Sequence, residues 1–257
     1  MNYSVEEEDV PSQVNSTILS IIGDIDGYGG GSMIVNHDSY MILSANSNTP
    51  FWEHWEAEPY PEWCALTGIA YVPDQPAGSG IEPHYHDCDE FWLFTAGQGE
   101  GWMDGQRYDI TPNIAVYNPM GVIHRYQNFT EAAGVGLIAR LKRQKRPGHL
   151  HVWELGPPEP TVPGFVVSGA SNTGPFPQRG SRCPLSEMRF IVLASDEHAA
   201  DGQAPAHEYW MVIAGALRLT IDNMAFDLIP GDLAILRGGT GRDIASSEGA
   251  QLILARE

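Results

Sequence analysis

The sequence resembles itself at a fixed offset without a gap, and this internal repeat restricts the fold more than any other feature. Glu90 recurs as Glu208, 118 positions later. The same shift superimposes Gly97 on Gly215, Asp104 on Asp222, Pro112 on Pro230 and Gly121 on Gly239. Glycine, proline and aspartate are typical turn residues, so their recurrence at one spacing indicates two copies of one structural unit.

Each copy is predicted to consist of β-strands. Short apolar runs follow one another from residue 64 to residue 141, and none of them has the 3.6-residue period of an amphipathic helix. The predicted strands are 64–72, 84–95, 100–104, 106–110, 114–117, 122–128 and 135–141. Asp104-Gly105 is a typical two-residue hairpin turn between two of these strands. An all-β sandwich or barrel follows from this pattern.

Composition divides the chain into four predicted parts. Residues 1–62 form an N-terminal arm with covering strands, and residues 63–146 form the first β unit. Residues 147–182 are rich in proline and glycine and are predicted to be a linker with little regular structure. Residues 183–257 form the second unit. The aromatic stretch before residue 63 either covers the first unit or lends it pocket residues, for which the candidates are Trp52, His54 and Trp55.

The charge and the cysteine content exclude several classes of function. The chain has 14 basic and 33 acidic residues, a formal net charge of −19 that disfavours binding to nucleic acid. No apolar run approaches the roughly 18 residues of a membrane span, and the acidic N-terminus does not resemble a secretory signal. Three cysteines do not make a disulfide framework. We therefore expect a cytoplasmic protein without nucleic-acid or membrane partners.

Potential metal ligands are concentrated between residues 84 and 124. If residues 84–95 form one strand, alternate side chains share one face of it. Those side chains are His84, His86, Glu90, Trp92 and Phe94. A carboxylate that faces an apolar interior is costly unless it is paired or bound to a metal. With His124 added, three imidazoles and one carboxylate could hold a metal ion.

The same segment resembles the two sequence motifs of the cupin superfamily. The first motif is matched at every spacing by Gly78, His84, His86, Glu90 and Gly97. The second is matched by Pro119, Gly121, His124 and Asn128. Asn113 departs from the second motif, which usually opens with glycine, but asparagine tolerates the left-handed backbone conformation that such a turn needs. The resemblance implies two tandem cupin barrels of the double-stranded β-helix (jelly-roll) type, similar to quercetin-type dioxygenases. It also implies one divalent metal bound by His84, His86, Glu90 and His124.

The second copy does not keep these ligands. The 118-residue shift puts Gly202 at the position of His84, Ala204 at that of His86 and Arg242 at that of His124. His198 and His207 lie nearby but out of register. Because a buried carboxylate needs a cation, we predict that Glu208 pairs with Arg242. The second barrel is then a structural or dimerising copy without a metal, which allows a homodimer.

Mixed nitrogen and oxygen ligands suit Fe, Mn, Co, Ni or Zn, and we favour Fe. Such a metal could bind an enolic or aromatic substrate while dioxygen attacks it. It could equally act as a Lewis acid in an isomerase, lyase or cyclase. A binding protein without catalytic activity is a third alternative. The sequence favours a dioxygenase that acts on a small molecule.

Further pocket residues are predicted from strand parity. Trp92, Phe94 and Tyr126 are candidates for substrate binding, and their alternative role is to fill the barrel core. Tyr126 and Glu90 are the candidate catalytic groups, because a buried tyrosine hydroxyl needs a partner and can donate a proton. Arg140, in the last strand of the first barrel, is the candidate for binding a substrate carboxylate.

Overall fold

The computed structural model describes residues 32–44, 52–55, 61, 63–86, 88–139, 151–152, 164–167 and 185–257. All regular structure in these residues is β-strand. The strands are β1 (Ser32–His37), β2 (Tyr40–Ser44), β3 (Trp52–Trp55), β4 (Leu66–Gln75), β5 (Gly80–His86), β6 (Glu90–Ala96), β7 (Gly99–Met103), β8 (Gln106–Ile110), β9 (Ile114–Asn118), β10 (His124–Asn128), β11 (Ala132–Ala139), β12 (His151–Val152), β13 (Phe165–Val167), β14 (Glu187–Leu193), β15 (Glu197–Gln203), β16 (Glu208–Gly215), β17 (Leu217–Ile221), β18 (Met224–Leu228), β19 (Leu233–Leu236), β20 (Gly241–Ser246) and β21 (Ala250–Arg256). Within this part of the chain, no helix is long and apolar enough to cross a membrane.

The strands form four sheets, and each barrel consists of two of them. In the first barrel the strand orders are β12-β5-β10-β7-β8 and β13-β9-β6-β11-β4-β3. In the second barrel they are β15-β20-β17-β18 and β1-β2-β19-β16-β21-β14. Most neighbouring strands are not consecutive in the chain and pair antiparallel, and the consecutive neighbours are β1-β2, β3-β4, β7-β8 and β17-β18. The fold is therefore the predicted pair of tandem jelly-roll barrels.

The internal repeat is visible in the backbone. β7 and β8 correspond residue for residue to β17 and β18 at the 118-residue offset. Asp104 and Asp222 both have a φ of 50° in the equivalent hairpin turns. Asn113 has a φ of 66° where the second barrel has Gly231 at 92°. The prediction that asparagine can replace the motif glycine in this left-handed turn is confirmed.

The prediction of one continuous strand over residues 84–95 is wrong. β5 ends at His86 and β6 begins at Glu90, and the two strands lie in different sheets of the first barrel. The Asp89 side chain stabilises this break. Its carboxylate accepts hydrogen bonds from the Met120 backbone N–H at 2.8 Å and from the Tyr117 hydroxyl at 3.1 Å. His84 and His86 therefore face Glu90 across the barrel interior instead of sharing a strand with it.

Segments outside the two repeats complete the sheets. The N-terminal hairpin of β1 and β2 joins the second barrel, because β2 pairs with β19. β3 pairs with β4 at the edge of the first barrel. Two short strands of the predicted linker also join the first barrel: β12 pairs with β5, and β13 pairs with β9.

The two barrels pack against each other through a shared apolar core. Buried side chains of the two six-stranded sheets form it, including Phe91, Leu93 and Tyr117 from the first barrel and Tyr209, Met211 and Ile253 from the second. Because side chains alternate along β6, Phe91 and Leu93 point into this shared core, and Glu90, Trp92 and Phe94 point into the first barrel. The strand that carries Glu90 is thus supported from behind by the second barrel.

Candidate metal centre

Three buried histidines converge in the first barrel. His84 and His86 lie on β5, and His124 lies on the neighbouring strand β10, where its backbone pairs with that of His84. Their ligand atoms all lie within 4.8 Å of one another. Their residues are 1–5% exposed. In the described part of the chain, these three histidines are the one group of at least three His, Cys, Asp or Glu side chains that could hold a metal ion.

The hydrogen bonds of two imidazoles fix their tautomers. His84 Nδ1 lies 2.8 Å from the Glu82 carbonyl oxygen, and His124 Nδ1 lies 2.9 Å from the Val122 carbonyl oxygen. A carbonyl oxygen can only accept, so each Nδ1 must carry the proton and donate it. In the neutral rings, Nε2 then keeps a lone pair that faces the barrel interior. This is the usual arrangement of a histidine that binds a metal.

The spacing of the ligand atoms also fits a metal. His84 Nε2 and His86 Nε2 are 2.9 Å apart. Two nitrogen ligands about 2.1 Å from one ion, at roughly a right angle, are about 3 Å apart. Glu90 borders the group, with Oε1 3.7 Å from His86 Nε2 and Oε2 3.1 Å from His124 Nε2. The buried histidine group could therefore hold a metal ion, and the Glu90 carboxylate lies beside it.

Asn118 holds the Glu90 carboxylate in place from the neighbouring strand. Its Nδ2 donates a hydrogen bond to Glu90 Oε2 at 3.0 Å, and both side chains are buried. β6 and β9 pair so that Glu90 lies opposite Asn118. A carboxylate beside a metal site needs such a partner to keep its oxygens oriented towards the ion.

We predict that Asn118→Ala weakens metal binding about 10-fold or more, because outer hydrogen-bond partners of metal ligands commonly contribute this much. Competition with a chromogenic chelator measures the affinity. Asn128→Ala is the matched control, since Asn128 is also a buried amide but bonds to Gln75 at 2.6 Å and to Ser79 at 3.1 Å. Equal affinities of Asn118→Ala and wild-type protein would contradict the role of Asn118.

Aromatic side chains form the wall of the first barrel beside the histidines. The ring centroids of Trp92 and Phe94 lie 5.9 Å and 5.5 Å from that of Tyr126. Glycine makes room for the indole, because a Cβ atom at Gly136 would lie 3.1 Å from Trp92 Cζ2. Strand parity therefore placed Trp92, Phe94 and Tyr126 in the interior correctly.

Arg140 and the side chains of Trp52, His54 and Trp55 lie outside the described part of the chain.

Tyr108 is an interior residue that the sequence did not indicate. Its ring packs with the apolar core of the first barrel. Burial raises the pKa of the Tyr108 hydroxyl above its usual value, and the nearby Glu90 carboxylate and Tyr126 raise the pKa further. Tyr108 therefore lies within electrostatic reach of Glu90 and Tyr126. The sequence signal that could have indicated Tyr108 is Gly101, which lies directly opposite it in the sheet. A glycine within a strand often marks a place where another group approaches the backbone closely.

The second barrel has an ion-pair network at the corresponding position. Arg242 donates to both oxygens of Glu208, from Nε at 3.0 Å and from Nη2 at 3.1 Å, which confirms the predicted pair. Trp210 Nε1 donates to Glu208 Oε2 at 3.0 Å. Arg256 also donates to Glu208 Oε1, from Nη2 at 2.8 Å, and contacts Glu187. Two arginines thus balance two carboxylates there.

The two additional histidines of the second barrel have other partners. His198 is exposed and pairs with Asp243 at 2.8 Å. His207 accepts a hydrogen bond from the Gly238 backbone N–H at 2.9 Å and packs against Trp63.

Comparison with known proteins agrees with this fold. Residues 71–138 match the Cupin domain family. A stretch of 80 residues is 30% identical to the uncharacterized protein y4oW of Sinorhizobium fredii and covers 31% of this chain and 36% of that protein. The chain thus spans about a third of the length of this curated relative. Residues 71–138 are therefore similar to a cupin domain, and the chain has the two-barrel cupin fold.

Solved structures share the architecture at low sequence identity. A salicylate 1,2-dioxygenase mutant from Pseudoaminobacter salicylatoxidans has a TM-score of 0.51 at 10% identity, covering 75% of this chain and 70% of that chain. Oxalate decarboxylase from Bacillus subtilis, studied for its Mn(II) centres, has a TM-score of 0.57 at 12% identity, covering 88% and 74%. AerE from Microcystis aeruginosa has a TM-score of 0.52 at 11% identity, covering 89% and 97%. At these identities the similarity shows the fold alone.

Proposed function

We propose that this chain is a metal-dependent dioxygenase that cleaves a small enolic or aromatic compound. The observation that carries the proposal is the buried histidine group facing an aromatic wall. Three imidazoles and a carboxylate bind a divalent transition metal and leave positions for exchangeable ligands. The aromatic side chains beside them suit a planar organic substrate.

The residues that would hold the metal are His84, His86, Glu90 and His124. Iron is the metal we favour, and Mn, Co, Ni and Zn suit the same ligands. When bound, iron would supply Lewis acidity towards a substrate oxygen and the redox chemistry that dioxygen activation requires. The backbone bonds of His84 and His124 keep Nε2 available for the metal, and Asn118 keeps Glu90 in position.

The remaining interior residues bind the substrate and exclude water. Trp92 and Phe94 would stack on the planar part of the substrate, where they keep bulk water away from reactive species. The Tyr126 hydroxyl would donate a hydrogen bond to a substrate oxygen. The Glu90 carboxylate would accept the proton that an enol or phenol loses as it binds, with Oε1 as the accepting atom.

The proposed reaction is balanced without a further co-substrate. One carbon–carbon bond of the substrate breaks, and both atoms of dioxygen enter the product as new carbon–oxygen bonds. The substrate itself supplies the four electrons that reduce dioxygen, so no external reductant is needed. The aromatic interior wall favours an aromatic substrate over a small dicarboxylic acid.

We predict that iron-loaded protein consumes dioxygen with one or more members of a panel of catechols, hydroxybenzoates and 1,3-dicarbonyl compounds. An oxygen electrode measures the rate, and zinc-loaded protein is the control, because zinc has no redox chemistry. We expect the iron form to be at least about 100-fold faster. Turnover at full rate under strict anaerobiosis, with zinc or manganese as well as iron, would instead identify a Lewis-acid isomerase or lyase.

A further inference from the structure

The two barrels differ at three equivalent interior positions. The second barrel has Leu219, Phe226 and Ile244, and these side chains pack in its apolar core. The 118-residue shift gives Gly101, Tyr108 and Tyr126 at the same positions of the first barrel. The copy that keeps the histidines therefore replaces two aliphatic side chains by a glycine and a tyrosine, and replaces a phenylalanine by a second tyrosine.

Gly101 is the centre of this difference. It lies opposite Tyr108 of β8 on one side and opposite Tyr126 of β10 on the other. A Cβ atom built on Gly101 would lie 2.0 Å from Tyr108 Cζ and 2.4 Å from the Tyr108 hydroxyl oxygen. The tyrosine ring therefore lies across the glycine, and its hydroxyl points towards the strand that carries His124. Any side chain at position 101 would displace this ring.

The Tyr108 hydroxyl is carried by a ring that packs in the same apolar cluster as Trp92, Phe94 and Tyr126. Glu90 and Tyr126 are both close enough to act on it electrostatically. Tyr126 in turn contacts Trp92 and Phe94. Among the described residues, none forms a hydrogen bond with the Tyr108 hydroxyl. The Tyr108 side chain is half-buried, and its hydroxyl can donate a hydrogen bond to a bound molecule.

We infer that Tyr108 is a substrate-binding residue, whose hydroxyl donates a hydrogen bond to an oxygen atom of a planar, oxygen-substituted ring or enol bound at the metal centre. The inference rests on the proposed function and specifies its substrate class. Gly101 provides the space that the Tyr108 ring occupies. In the second barrel, Leu219 and Ile244 occupy the equivalent positions and are buried in the apolar core.

The test uses zinc-loaded full-length protein and 4-nitrocatechol, a planar chelating ligand, with calorimetric titration. Zinc prevents turnover while keeping the centre filled. Tyr108→Phe keeps the ring and removes the hydroxyl, so we expect about 5- to 10-fold weaker binding of 4-nitrocatechol. Binding of azide, a three-atom ligand without a ring or an enol oxygen, should not change. Tyr40→Phe removes a buried tyrosine hydroxyl in the second barrel and is the matched control.

A second variant tests the space instead of the hydroxyl. Gly101→Leu gives the first barrel the residue of the second and should weaken 4-nitrocatechol binding more than 10-fold, with metal content retained. Equal affinities of wild-type protein and Tyr108→Phe for 4-nitrocatechol would overturn the inference. Equal weakening of azide and 4-nitrocatechol would also overturn it, since Tyr108 would then act through the metal. If wild-type protein binds neither 4-nitrocatechol nor any other member of the panel of catechols, hydroxybenzoates and 1,3-dicarbonyl compounds, the proposed function itself is wrong.

Discussion

Replacing His86 or Glu90 with alanine is expected to lower the metal content of the purified protein from about one ion per chain to near zero. His86 Nε2 lies 2.9 Å from His84 Nε2 and 3.7 Å from Glu90 Oε1, so each substitution opens the middle of the ligand group. Loss of one of four ligands typically weakens a transition-metal site by orders of magnitude. Elemental analysis of protein purified without added metal measures the effect, and any metal-dependent activity should disappear with the metal.

The fold should survive these substitutions, because three apolar cores and the hydrogen-bonded sheets do not involve the ligands. Far-UV circular dichroism of each variant should match that of wild-type protein. His198→Ala is the matched control, since His198 is exposed and pairs with Asp243 away from the group. A metal content near one per chain in both His86→Ala and Glu90→Ala would show that the ion binds elsewhere.

The parts of the fold that depend on local sequence could be predicted. Turn residues set the backbone within a few positions, so the repeated turns at Asp104 and Asp222 indicated two copies of one unit. Alternation along a strand depends only on backbone geometry, and it placed Trp92, Phe94 and Tyr126 inside the barrel. The first His-x-His pair and His124 came from motif spacing, and the structure brings them together.

The parts that depend on distant partners could not be predicted in the same way. The break between β5 and β6 is stabilised by bonds from Asp89 to residues 28 and 31 positions later. The N-terminal hairpin joins the second barrel because β2 pairs with β19, and neither strand sequence specifies the other. The orientation of Tyr108 depends on a side chain that is absent, at Gly101 on the adjacent strand. Local propensity contains no information about such contacts.

Arg256 in the second barrel makes another contact that could not be predicted from the sequence. The sequence predicted Arg242 as the partner of Glu208 because both occupy positions of metal ligands in the first copy. Arg256 corresponds to Ile138 of the first barrel, which is not a ligand position. The structure shows that Arg256 donates to Glu208 from Nε at 3.1 Å and from Nη2 at 2.8 Å. The buried carboxylate therefore has two guanidinium partners, and only one of them could be found from the repeat.

Arg242→Ala is expected to lower the free energy of unfolding by about 3–5 kcal/mol, since removing one member of a buried ion pair leaves the other charge without its partner. Glu208 is completely buried, and Arg242 contributes a bond to each of its oxygens. Urea unfolding followed by tryptophan fluorescence measures the change, because Trp210 bonds to the same carboxylate. Arg218→Ala is the matched control: its pair with Asp227 is exposed and 3.8 Å long, so its loss should cost less than about 0.5 kcal/mol.

A double variant separates the charge from the packing. Glu208→Gln combined with Arg242→Met removes the negative and the positive charge together and leaves Arg256 with Glu187. It should be more stable than Arg242→Ala alone, because no unpaired charge remains in the interior. Metal content should not change in any of these proteins, since the guanidinium groups lie in the second barrel and the histidines in the first. A loss of less than 1 kcal/mol in Arg242→Ala would mean that Arg256 alone satisfies Glu208. The position of Arg242 indicates that its charge replaces that of a metal ion, and this interpretation would then be wrong.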